Sequence, residues 1–224
     1  RPRPDDSDQA RKANCSEGED YLRVILEAAG GAEVIAEDLG TVPDYVRPSL
    51  SSLGIAGMKV PQWEVENGEV TMGPAYPSLS FAAYATHDHS PMRRQWSEAK
   101  NAMETAEKDS AAWWDARNFL ATLCWFAGIE MPGDVPPDYT PAIWEKLFRE
   151  LSLSNSDRIA VMISDVLGEI ERINVPGVMD GTNWSYRTSV STEEFSSSEE
   201  FWPLRNSIKK VLNETSRARR VGSF

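Results

Sequence analysis

Cysteine and histidine are almost absent from this 224-residue chain, with two of each, and their scarcity removes several kinds of chemistry. Cys15 lies in a polar stretch and Cys124 in an apolar one (ATLCWFAG), so neither a disulfide framework nor a cysteine zinc site is expected. Basic residues are also short: 23 Lys and Arg against 35 Asp and Glu leave a net charge of -12. Such a balance opposes binding to nucleic acid or to an anionic membrane. No apolar run reaches the roughly 20 residues of a membrane span, and the opening RPRPDDSDQARKAN lacks the apolar core of a signal peptide. A soluble protein is expected, cytoplasmic, or plastid if the source is a plant or alga.

What is present is enough apolar residue, 41%, to build a core. Eight tryptophans stand out, and such large flat side chains either fill a core or stack on planar or sugar-like ligands. Residues 1–18 are charged and proline-containing, with no periodicity, and read as a polar tail or the remnant of a preceding element. From residue 19 to 224 the pattern is that of one folded unit. EDYLRVILEAA predicts a helix stopped by Gly30 and Gly31, and VPDYVRPSLSSL a second one, with Thr41 as its cap and Pro48 as a distortion.

Four short apolar runs read as buried strands: 34–36, 57–63 (GMKVPQW), 81–86 (FAAYAT) and 158–163 (RIAVMI). Three end in polar residues, Glu37-Asp38, His87-Asp88-His89 and Ser164-Asp165. Helices are predicted between the third and fourth runs, an insertion over about 92–152, and a last polar helix over about 193–218. Alternating strands and helices predict an α/β fold with a parallel sheet, whose functional groups gather at the strands' C-terminal ends. About four parallel strands supply half of an eight-stranded (β/α)8 TIM barrel.

Both histidines fall in one tetrapeptide, Thr86-His87-Asp88-His89. A metal site needs a further ligand in suitable geometry; a capped helix start needs nothing more. Glu37 and Asp88, from the ends of different strands, can converge on one bond. Glycosidic cleavage uses such a pair, one to protonate the leaving oxygen and one to set negative charge beside the oxocarbenium ion. With 35 acidic residues available, spacing alone does not select these two. The stretch Asn174-Val-Pro-Gly177 with Asn183-Trp184 reads either as a loop around an indole or as a saccharide-facing surface.

Three blocks together resemble glycoside hydrolase family 77, the 4-α-glucanotransferases or amylomaltases: VIAEDLGTVPDYVRPSLSSLGIAGMKV at 34–60, YATHDHSP at 84–91 and RIAVMISDVLGEIERINVPGVMDGTNWSYR at 158–187. The resemblance implies the C-terminal half of the barrel and retaining transfer of α-1,4-glucan segments between maltooligosaccharides, without metal or cofactor. It implies Glu37 as acid/base, Asp88 as transition-state stabiliser, His87 on the donor sugar, and Trp63, Asn67, Asn183 and Trp184 as substrate-binding residues. Asp165, Arg172, Asn174, Pro176 and Gly177 have counterparts in its third block. His89 stands where the family usually has Asn, Ser164 where it has Gln, and Trp63 and Asn67 where Phe and Asp are common, which touches acceptor preference.

The resemblance also places the nucleophilic Asp upstream, in an Arg-x-Asp-His-type motif on the preceding strand. Nothing before Glu37 matches it; Asp5, Asp6 and Asp8 belong to the polar stretch. The expectation is a chain inactive alone that pairs with the N-terminal half of the barrel or with a second copy. The rival expectations are a non-catalytic glucan-binding or interaction fragment and an α-amylase-type hydrolase.

Overall fold

The computed structural model describes residues 4–217. Its strands are β1 (Ile35–Ala36), β2 (Ala56–Lys59), β3 (Val65–Glu66), β4 (Glu69–Val70), β5 (Ser80–Ala83) and β6 (Arg158–Ala160). β1, β2, β5 and β6 form one sheet in that order, and every pair is parallel: Ile35 opposite Ala56, Met58 opposite Phe81, Ala82 opposite Ile159. These are the four predicted runs. The consequence of parallel pairing is that all four strands deliver their following loops to the same side. β1 and β6 are the outer strands.

β3 and β4 make a separate antiparallel hairpin between β2 and β5. Its turn is Asn67-Gly68, both with positive φ (53° and 82°), the backbone that an Asn-Gly pair adopts most readily in a two-residue hairpin.

α1 (Asp8–Ala29) precedes β1; between the strands run α2 (Val46–Ser52), α3 (Met92–Thr105), α4 (Ala111–Phe126) and α5 (Pro141–Leu153); after β6 come α6 (Ile163–Leu167), α7 (Thr192–Ser197) and α8 (Trp202–Glu214). The inserted helices fall where expected. The polar tail does not: α1 begins at Asp8, with the Ser7 hydroxyl accepting from Ala10 N at 3.2 Å. It buries no residue, so no apolar stripe marks its first turns; of the predicted tail, residues 1–3 lie outside the described residues. Thr41 does not cap α2, which starts after Tyr45 without a side-chain cap. Pro48 occupies its first turn, where no amide hydrogen is needed.

The fourth run stops being strand at Ala160 and turns into α6, so Ser164 and Asp165 are helical. The long C-terminal helix is broken at Ser198, whose ψ of 138° is extended, and a 3-10 turn (Glu199–Phe201) joins α7 to α8. Residue 218, its predicted end, lies outside the described residues. Among the described residues no helix is long and apolar enough to cross a membrane.

The main core lies between β5 and the inserted helices and gathers Tyr76, Tyr84, Trp96, Leu120, Leu123, Phe126, Leu147 and Leu151. Two of its polar tips are satisfied, with Tyr84 Oη donating to Leu147 O at 2.8 Å and Trp96 Nε1 to Pro137 O at 2.9 Å. Burial beside these apolar side chains pushes the Cys124 thiol up to about 12. A smaller cluster of Trp144, Phe148 and Val211 joins α5 to α8. Beyond α8, Arg217 is buried and donates to the carbonyls of Ser152 (3.0 Å), Ser154 (2.5 Å) and Ser156 (2.6 Å). Its guanidinium thereby closes the C-terminal end of α5 and the link into β6.

Candidate active site at the strand ends

Glu37 is the first residue after β1, and its carboxylate is exposed. The next residue does the opposite. Asp38 is buried, its Oδ1 accepting from Met58 N at 2.6 Å and its Oδ2 from Arg47 Nε at 2.9 Å. The carboxylate thus ties the end of β1 to β2 and α2. Gly57 makes room for it, since a Cβ there would stand 3.0 Å from the Asp38 oxygens. Holding Asp38 inward turns Glu37 outward, because neighbouring side chains on an extended strand point to opposite faces. Asp38 was not singled out in the sequence; its signal is an acid beside an acid at a strand end, facing a glycine in the next strand.

After β2, a 3-10 turn (Pro61–Trp63) presents Trp63. After β5, the turn at residues 86–89 is organised by Thr86: its hydroxyl accepts from Asp88 N at 3.3 Å, and its N–H donates to His89 Nδ1 at 3.2 Å. His89 Nδ1 is therefore the acceptor and the neutral ring carries its proton on Nε2. The His89 ring lies 5.0 Å from that of Trp63, and the His87 ring 5.0 Å from that of Trp184. Burial pulls the His89 imidazole below its ordinary 6.5; the charges of Asp88 and Glu37 oppose this, while Arg172 and His87 add to it. His87, Asp88 and His89 thus share one turn, with Trp63 and Trp184 beside it, at the end of the sheet where Glu37 also follows its strand.

The segment after β6 locks that centre from the other side. Asn174 Nδ2 donates to Asp88 Oδ1 at 2.6 Å, Arg172 donates to Asp88 O, and Asn174 N donates to His87 O at 3.2 Å. His87 Nε2 lies 3.3 Å from Asp88 Oδ1. Asp165 is buried and accepts from Met92 N at 2.6 Å, capping α3 from a distant part of the chain. Burial pushes its carboxyl up to about 6, a rise limited by that hydrogen bond.

Of the residues singled out in the sequence, Glu37, Trp63, His87, Asp88 and Trp184 come together. Two are placed differently. Asn183 spends its amide on its own loop, its Oδ1 accepting from Val175 N at 2.8 Å and its Nδ2 donating to Val175 O and Val178 O at 3.0 and 2.8 Å. Asn67 forms the exposed tip of the β3–β4 hairpin. Asp5, Asp6 and Asp8 precede or open α1, and Asp5 accepts hydrogen bonds from Asn14 and Tyr45. A groove of about 570 Å³ opens beside Trp63, lined by Leu39, Arg47, Lys59 and Glu64 among others.

The sequence pattern that defines the 4-alpha-glucanotransferase family matches residues 2–192. The 4-alpha-glucanotransferase of Chlamydia muridarum is 30% identical over 205 residues, 84% of this chain and 34% of the relative. That of Chlamydia caviae is 32% identical over 197 residues, 85% of this chain and 34% of the relative. The chain thus spans about a third of the length of these curated relatives. Among solved structures, amylomaltase from Streptococcus agalactiae in complex with acarbose superposes with a TM-score of 0.57 at 19% identity, covering 85% of this chain and 33% of that one. That likeness supports the reading of the four-stranded sheet as part of an α/β barrel. The match to the family pattern runs through all four strands and the loops that carry Glu37 and Asp88, and on that ground the chain belongs to glycoside hydrolase family 77, the 4-alpha-glucanotransferases.

Proposed function

We propose that this chain contributes the acid/base side of an active site that transfers α-1,4-glucan segments between maltooligosaccharides. The observation that carries the reading is that the parallel sheet delivers Glu37, after β1, and Asp88, after β5, to the same end, where Asn174 fixes the Asp88 carboxylate. Glu37 protonates the leaving glycosidic oxygen while a nucleophilic carboxylate attacks the anomeric carbon, giving a covalent glycosyl-enzyme. It then takes the proton from the 4-hydroxyl of an acceptor glucan, whose oxygen displaces the enzyme carboxylate with retention. Asp88, held by Asn174, carries the negative charge that stabilises the oxocarbenium-like transition state. His87 and Trp184 offer a hydrogen bond and a stacking face to the donor, and Trp63 a stacking face to the acceptor.

The nucleophile in this scheme comes from polypeptide carrying the preceding barrel strands. β1 supports this arrangement: it is the last strand of the sheet on its side, and its Ile35 is 40% exposed. An outer strand of a parallel sheet seeks a further strand.

The test is incubation with maltotriose, with and without the polypeptide bearing the preceding strands. Glucose together with longer maltodextrins is expected only from the combination, and is abolished by Glu37→Gln. Transfer products that survive Glu37→Gln sink the role of Glu37, and products from the chain alone sink the need for a second segment. Reducing sugar without longer chains points to hydrolysis instead.

A further inference from the structure

Trp63 has a second groove on its other side. This one, of about 590 Å³, runs between the β3–β4 hairpin and α4, and is lined by Gln62, Trp63, Val65, Asn118, Phe119 and Trp125 among others. α4 packs against both the 3-10 turn that carries Trp63 and strand β4. Along α4, Asp115, Asn118, Thr122 and Trp125 recur at three- and four-residue spacing, which puts them on one face. The opposite face, Ala116, Leu120, Leu123 and Cys124, is buried in the main core. The core therefore fixes the helix and leaves a row of amide, hydroxyl, carboxylate and indole looking into the groove.

Trp125 is 72% exposed, and Trp63 46%. Two exposed indoles with an amide and a carboxylate between them match what a pyranose presents: apolar C–H faces for the rings, equatorial hydroxyls for the polar groups. An anionic occupant is disfavoured by Asp115 and by the net charge of -12. Trp63 links the groove to the catalytic cluster, since it lines the groove and its ring lies 5.0 Å from that of His89.

We propose that the α4 groove holds the distal glucose units of the acceptor glucan, with Trp125 as their stacking platform and Asn118 as a hydroxyl partner. The inference rests on the proposed transferase reading, since it extends the acceptor side of that site outward from Trp63. It makes the chain a reader of acceptor length: a short acceptor reaches Trp63 only, a long one reaches Trp125.

Calorimetric titration of the full chain with maltose and with maltoheptaose tests it. Trp125→Ala is expected to weaken maltoheptaose binding about ten-fold while leaving maltose within about two-fold of the parent. Asn118→Ala moves in the same direction, and Trp202→Ala, which removes another exposed indole, changes neither sugar. Far-UV circular dichroism confirms that each variant keeps its helices, and Asn118→Ala carries the test if Trp125→Ala does not fold. If maltoheptaose binds the Trp125 and Asn118 variants as it binds the parent while Trp63→Ala weakens both sugars, the groove has another use, such as seating further polypeptide, and the proposal falls while the transferase reading stands. If neither sugar binds the parent chain, the proposal falls, and the maltotriose assay with the preceding strands decides the transferase reading.

Discussion

Replacing Asp165 by asparagine separates the charge of a buried carboxyl from its hydrogen bond. Asp165 is 6% exposed and caps α3 through Met92 N. Burial raises its carboxyl from 3.8 to about 6, so within that window the folded chain holds more protons than the unfolded one. By linkage, the Asp165 contribution to stability falls as pH rises through the window. The size follows from the same two values: a rise of this extent places roughly 3 kcal/mol on the ionised form. Asparagine keeps an oxygen for Met92 N and cannot ionise. Urea unfolding at pH 4 and pH 7.5 is expected to find Asp165→Asn close to the parent in acid and more stable by about 2–3 kcal/mol at the higher pH. Asp165→Ala shares the altered pH slope but sits lower at every pH by about 1–3 kcal/mol, the cost of a buried N–H without an acceptor. A parent-minus-Asn difference that stays constant across the pH range refutes the argument, because it leaves no ionisation penalty to remove.

Three further outcomes are expected. Arg217→Ala removes a buried guanidinium from three carbonyls and lowers unfolding stability by about 3 kcal/mol; a loss under about 1 kcal/mol contradicts the clasp. Gly73→Ala sets a methyl 2.9 Å from Ser154 Cβ and 3.0 Å from its Cα, so a loss of about 1–3 kcal/mol is expected in the same assay. The His89 imidazole, followed by NMR, titrates below 6.5, and its contribution to stability is lost as pH falls through 6.5. Glu37→Gln removes a charge that favours the protonated ring and so lowers the His89 value further; no movement places Glu37 too far away for the proposed centre.

The strands were readable as short apolar runs, since 34–36, 81–86 and 158–163 have little else, although only β2 and β5 are largely buried. Their boundaries were less readable: Val161 to Ile163 is apolar enough for strand but leaves β6 to begin α6, a choice made by the capping of α3 through Asp165. The second half of α1 was legible as a helix ending at Gly30, whereas its first half, residues 8–18, carries no apolar stripe because it buries nothing. The β3–β4 hairpin is too short for alternation to show, although Asn67-Gly68 is a turn signal that could have found it. At the site, the outward acid Glu37 was legible only through its motif, and its inward neighbour Asp38 not at all, since its partners Met58 and Arg47 lie on other elements. Asn183 shows a contact the sequence did not reveal: its amide makes three hydrogen bonds within its own loop, to Val175 and Val178.

The Arg217 clasp also imposes an order of events on synthesis. The carbonyls it binds belong to residues 152–156, but the guanidinium that satisfies them emerges more than 60 residues later. Until then the end of α5 and the approach to β6 hold unsatisfied acceptors facing water. The last strand of the sheet can therefore be seated early but is secured only once Arg217 has left the ribosome, so a product terminated shortly before Arg217 would have every described strand and still lack this fastening.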